Sequence, residues 1–173
     1  AVDTSQSTAA DRVKIYINGT QQTAFATANY PGQGDGLKLN ISGNTFFVGT
    51  AETTGGSKFG YFDGCMSHFH FVDGQQYNAS VFGSTDATTG IWKINTSPSV
   101  TYGTNGFFIL KDSNSVTDQS GNSNNFTVGA GTLLETKDNP SNNFPILNRD
   151  IPATPPTSDI GGALQIKKTN SGY

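Results

Sequence analysis

Charge is what this sequence has least of: Asp, Glu, Lys and Arg together make up 13% of its 173 residues. A net charge of −3 and a pI near 5.1 leave no basic surface of the kind that draws nucleic acid or an anionic membrane. Neither is expected as a partner. The single cysteine, Cys65, excludes an internal disulfide. With no basic neighbour to stabilise a thiolate, it reads as a small buried hydrophobe within an apolar strand. No apolar run approaches the ~18 residues of a membrane-spanning helix. No secretory leader or initiator methionine precedes Ala1, which is therefore expected to be an internal or processed position.

Catalytic signatures are also missing. The carboxylates are scattered through loops without the pairing that glycosidases use. There is no Gly-x-Ser-x-Gly elbow and no phosphate-cradling loop; Gly32, Gly34 and Gly36 approach dinucleotide-binding spacing, but no helix follows them. The expectation is a protein that is not an enzyme.

What is present is strand and turn. Low charge with 21 Gly, 12 Phe and abundant Asn, Ser and Thr does not suit helices. It suits short strands joined by many turns. Arg12 to Asn18 alternates, with Val13, Ile15 and Ile17 on one side and Arg12, Lys14 and Tyr16 on the other. Asn18-Gly19 then predicts a type I′ hairpin turn, with Thr20 to Ala28 as the return strand. Leu37, Leu39 and Ile41 alternate again, and Phe46 to Val48 reads as a short buried strand. Tyr61 to Val72 is the most fully specified strand, with Cys65, Ser67, Phe69 and Phe71 facing one way and Met66, His68, His70 and Val72 the other. Gln75 to Gly90 is polar with room for one helical turn, Asp86 to Gly90 leads into Ile91 to Ile94, and Phe107 to Leu110 is a further buried strand. Lys111 to Asn125 reads as a long polar loop, with a short strand at Phe126 to Val128. The class is all-β, an antiparallel β-sandwich or jelly roll.

Three of these segments carry a resemblance. Asp11–Gly19 (DRVKIYING), Phe46–Gly49 (FFVG) and Phe62–Gly74 (FDGCMSHFHFVDG) resemble the late strands of a laminin-G or concanavalin-A-like jelly roll. The ordered series Phe82–Trp92, Tyr102–Phe107, Asp118–Asn125 and Asp138–Asn143 is narrower. It is similar to a group of virion proteins of tailed bacteriophages, notably phages of marine and freshwater bacteria including cyanobacteria. The resemblance spans residues 1–145. It implies a jelly-roll domain of a fibre, spike or other appendage, located in the virion, with other virion proteins as partners and a homo-oligomer, a trimer among the options. Domains of that kind carry more strands ahead of Asp11, so the chain is expected to begin mid-domain, its open edges covered by further chain, another subunit or a capsid or tail partner. Residues 146–160 read as a Pro/Thr-rich linker and 161–173 as the start of a following segment.

Candidate sites follow from residue type. Tyr30, Tyr61, Tyr77, Trp92 and Tyr102 are aromatics that could stack on sugar rings, which makes a carbohydrate-binding host-attachment module the alternative function; packing of Trp92 in the core is the competing reading. His68 and His70 share a strand face, but no third ligand stands at metal spacing, so packing is the plainer reading. No cofactor is expected, with calcium as the alternative. Its oxygen ligands would be drawn from Asp63, Asp73, Asp86, Asp112, Asp118, Asn122 and Asn124, although the spacing matches no EF-hand and Asx residues also stabilise turns. Five Asn-x-Ser/Thr triplets, at Asn18, Asn40, Asn78, Asn95 and Asn125, would be glycan acceptors if the chain were instead a secreted laminin-G-like adhesion domain; in so Asn- and Thr-rich a chain, chance occurrence is the plainer reading.

Overall fold

The computed structural model describes residues 1–37, 39, 45–111, 115–134 and 140. Among them the protein is built of short strands with very little helix. One helical turn, α1, covers Ala9–Arg12, and one 3-10 turn covers Ala79–Val81 within the polar stretch that has room for one. Eight strands form four separate antiparallel pairs. β1 (Ile15–Ile17) pairs with β2 (Thr20–Gln22), β3 (Ala51–Glu52) with β4 (Lys58–Phe59), β6 (Gly83–Thr85) with β7 (Trp92–Ile94), and β5 (Phe69–Phe71) with β8 (Phe107–Ile109).

The β1–β2 hairpin forms where Asn18-Gly19 predicts it. Asn18 has φ 48° and Gly19 φ 77°, the two positive values that a type I′ turn requires, and Ile17 lies opposite Thr20. The return strand stops at Gln22, well short of Ala28. The alternation of β1 holds, but the apolar side is the exposed one: Ile15 and Ile17 face solvent while Tyr16 is half-buried. Upstream, Val2 bridges to Val13, and Arg12 ties the N-terminal loop together by donating to the carbonyls of Gln6, Ser7 and Pro31.

The core is organised around β8. Phe107, Phe108, Ile109 and Leu110 are all buried, as their unbroken apolar run implies. On one face, Phe107, Ile109 and Leu110 pack with Phe46, Val48, Met66, Phe69, Phe71, Val116 and Phe126. Rings dominate this face: Phe107 stacks on Phe71 at 5.4 Å and meets Phe126 edge-on at 4.7 Å. Phe46 and Val48 contribute to the core as expected, but from irregular backbone; Phe126 also packs there, and the short strand expected at Phe126 to Val128 does not form. On the opposite face Phe108 carries His68, His70 and Tyr102.

Two expectations for the Tyr61–Val72 stretch are overturned. The strand covers only Phe69–Phe71, because His68 adopts a left-handed conformation (φ 51°) and interrupts the pleat. The break shifts the phase of the preceding residues, so Met66 joins the same cluster as Phe69 and Phe71 instead of opposing them. Cys65, expected inside, lies in the irregular segment ahead of the break and is exposed. Of the expected alternation Leu37, Leu39 and Ile41, Leu37 and Leu39 are both exposed. Ile41, the Asp138–Asn143 motif apart from Pro140, the linker with its following segment, and the sequon at Asn40 lie outside the described residues.

The turn feeding β8 is clamped from two sides. Asp73 accepts from the backbone and side-chain amides of Asn105, at 3.3 and 2.9 Å. From the other side, Asn122 and Asn124 each donate through Nδ2 to the carbonyl of Gly106 at 2.9 Å, and further to those of Gly103 and Thr104. The loop that supplies those amides is held by Asp118, which is buried beneath it. Its carboxylate accepts from Phe108 N at 2.8 Å, Ser120 N at 2.9 Å, Ser120 Oγ at 2.8 Å and Asn124 N at 2.9 Å. The polar series between Tyr102 and Asn125 is therefore a staple that closes the edge of the core.

Candidate ligand-binding cleft

The β5–β8 pair places His70 directly opposite Phe108. Their rings stack with centroids 3.9 Å apart, and Phe82 closes on His70 from the turn before β6, at 5.4 Å. His70 Nδ1 and the Tyr102 hydroxyl are 2.7 Å apart. Burial, reinforced by the charge of His68, pushes the His70 pKa down to about 4, so the imidazole is neutral at physiological pH. Burial, followed by the charge of Asp118, pushes the Tyr102 phenol up to about 12. The pair is a neutral hydrogen bond.

In front of these rings lies an open cleft of about 340 Å³, lined by Ser67, His68, His70, Phe82, Trp92, Ile94 and Asn95. Its far wall comes from the β6–β7 hairpin. Trp92 is half-buried and lies against the two glycines Gly19 and Gly83, where a Cβ on either would collide with its ring. A side chain at Gly83 would also come within 2.6 Å of the Lys93 carbonyl. The hairpin tip at Gly19 and the strand at Gly83 thus fix the indole. Lys93, adjacent to the wall, is engaged by Asp86 at 2.6 Å, and among the described residues no Lys, Arg, Asp or Glu lines the cleft. Hydrogen-bonding capacity is supplied by Ser67 Oγ, which is 2.7 Å from His68 Nδ1, and by Asn95, whose amide holds Val81 O and Ser97 N. Each of these groups can make further bonds. The arrangement can hold an uncharged ligand with an apolar face and a few hydroxyls.

Of the five candidate aromatics, Trp92 alone lines this cleft. Tyr102 stands behind His70, and Tyr77 stands behind Phe82, at 6.4 Å edge-on, where its hydroxyl accepts from Thr101 N. Tyr30 is half-buried in the loop bound by Arg12, and Tyr61 is exposed. Type and spacing mark Asn95 only as a sequon and Phe82 and Ser67 only as members of the resembling segments, and none of these, nor Ile94, as a ligand contact. The β6–β7 pairing sets Phe82, Ile94 and Asn95 beside Trp92, and Ser67 enters from the segment ahead of β5, an arrangement that residue type and spacing alone miss.

Among the oxygen-ligand candidates, Asp73, Asp118, Asn122 and Asn124 gather about the 102–106 turn, where each side chain makes hydrogen bonds to protein partners. Asn122 and Asn124 present amide nitrogens, not oxygens, to that turn. Asp86 turns its own loop, accepting from Thr88 N and Thr89 N, and Asp63 is exposed. Asp112 lies outside the described residues. No group of three or more His, Cys, Asp or Glu side chains converges among the described residues.

The neutral state of His70 makes stability depend on pH. Its folded pKa lies below the ordinary imidazole value of about 6.5, so its contribution is fully present above that pH and is lost as pH falls towards 4. The expected loss is about 2 kcal/mol, discounted from the full linkage value because the ring keeps some solvent contact. Urea midpoints at pH 7, 5.5 and 4.5 should fall in that order, and His70→Phe, which keeps the stack on Phe108, should flatten the series. An unchanged slope in His70→Phe would assign the acid sensitivity to another group.

Comparison with protein-family models, with curated proteins and with solved structures finds no match to this chain.

Proposed function

We propose that the chain is a non-catalytic structural module of a bacteriophage virion, part of a fibre, spike or appendage, in which the four strand pairs belong to the sandwich of a laminin-G-like jelly roll. One observation carries the structural role: strand pairs are left bare on their apolar side. Ile15 and Ile17 on β1, Phe59 on β4 and Ile94 on β7 are all exposed, while the buried core among the described residues centres on β8 alone. Two-stranded ladders are marginal in water, and their unpaired edges and apolar faces are ready to bind further polypeptide. Such a chain gains its stability within an assembly. The phage assignment draws on the resemblance of the Phe82–Asn143 series.

If so, the chain should sediment as a homo-oligomer, and its tryptic peptides should travel with intact tailed-phage particles through a density gradient. Recovery only as a monomer in the particle-free fraction would sink the proposal. A second reading, attachment of the particle to a host glycan, is favoured by the uncharged cleft beside Trp92.

A further inference from the structure

We propose that the cleft between β5 and the β6–β7 hairpin is a binding site for a neutral pyranose, with Trp92 as its stacking platform and Ser67, His70 and Asn95 as its polar contacts. The inference rests on the attachment reading and deepens it, moving the site away from Tyr30, Tyr61 and Tyr77.

Three features converge. The platform is preorganised: Gly19 and Gly83 leave no room between backbone and indole, so ordering the ring on binding costs little. The cleft is uncharged. Among the described residues no acidic or basic side chain lines it, and the imidazole of His70 is held neutral by its place between Phe108 and Phe82. Anionic and cationic ligands would therefore shed their hydration without finding a counter-charge, whereas a neutral sugar would not. Finally, the polar groups sit among apolar ones. A sugar ring offers a C–H face to the indole and hydroxyls to Ser67, His70 and Asn95. A purely aliphatic ligand would strip water from those groups and leave them unpaired. The volume of about 340 Å³ suits one or two sugar rings.

The chain contains one tryptophan, so fluorescence excited at a wavelength that tryptophan absorbs and tyrosine does not reports on this wall alone. Titration with neutral mono- and disaccharides (glucose, galactose, mannose, N-acetylglucosamine and their dimers) should give a saturable change with at least one of them. Glucuronate and glucosamine should give none. By calorimetry, Trp92→Ala should abolish that binding, and Ser67→Ala, a milder change checked by its unaltered melting curve, should weaken it about 5-fold. Saturable binding that survives both substitutions would overturn the cleft while leaving glycan attachment standing. Charged sugars or cyclohexane derivatives binding as well as neutral sugars would overturn the proposed ligand class. No saccharide binding at all would overturn the cleft and the attachment reading together, without touching co-purification with particles.

Discussion

Replacing Asp118 by alanine should cost the protein about 4 kcal/mol, most of the stability of a domain at the low end of the usual range. The carboxylate is the common acceptor of Phe108 N, Ser120 N, Ser120 Oγ and Asn124 N. Phe108 N belongs to a buried strand where water cannot take over. Leaving a buried donor unpaired costs about 1–3 kcal/mol, and a bond to a charged acceptor is at the upper end of the range. Total stability of a domain is only about 5–15 kcal/mol. The loop would also lose the geometry that lets Asn122 and Asn124 hold the Gly106 carbonyl. Asp118→Asn keeps the shape but turns an amide group towards N–H donors, and should recover less than half of the loss. Urea denaturation of both variants checks this, with the exposed Asp63→Asn expected within about 0.5 kcal/mol of wild type. The penalty should be the same in calcium and in chelator, because the Asp118 oxygens already hold four protein donors. Burial alone would raise the pKa of Asp118, but the amides of Phe108, Ser120 and Asn124 and the Ser120 hydroxyl bring it below the ordinary carboxylate value. Its contribution is thus present above about pH 3.9 and lost only as pH falls below that. That window is separate from the one governed by His70. A loss below about 1 kcal/mol for Asp118→Ala would mean that the staple is not what closes the core.

Gly106→Ala should be nearly as damaging, at about 3 kcal/mol. A Cβ there would collide with the Tyr102 carbonyl oxygen, lie 2.7 Å from the carbonyl carbon, and press on Phe71 O at 2.9 Å. All three obstacles are backbone, so no side-chain rotation relieves them, and the turn and β5 would have to separate. The Tyr102 and Gly106 carbonyls anchor Asp73 N and the amides of Asn122 and Asn124, so separation would propagate into the staple. Gly129 has open space within 4 Å of the place a Cβ would occupy and no positive φ. It should accept alanine with a change under about 0.5 kcal/mol. Thermal melts of the two variants side by side isolate the steric cause from any general effect of removing a glycine. Equal melting temperatures would refute it.

Some of this is legible in the residues. Asn18-Gly19 specifies its turn because two adjacent positive φ values are a local demand that this dipeptide meets. The run Phe107–Leu110 announces a strand buried on both sides, and low charge with abundant Gly, Asn and Thr announces a largely β chain. The Asx-rich series 118–125 reads as a set of oxygen donors. Its use as a staple is not legible, because an Asn side chain carries both an oxygen and a nitrogen, and only the fold decides which one meets a partner.

What the sequence determined by itself, then, is conformation over a few residues: where the chain turns, where it can extend, and which segment must leave water. The tertiary structure decided the rest. The pairing of Phe69–Phe71 with Phe107–Ile109 joins residues far apart in the chain, and that choice made His70 a neutral ring against Phe108. The left-handed turn at His68 took Cys65 out of the interior and brought Met66 into it. The apolar side of β1 remained exposed despite a faultless alternation. The physical reason is common to all three. Alternation fixes which side chains share a face, whereas burial depends on whether a second surface arrives to cover it, and among the described strands only β8 is covered on both sides.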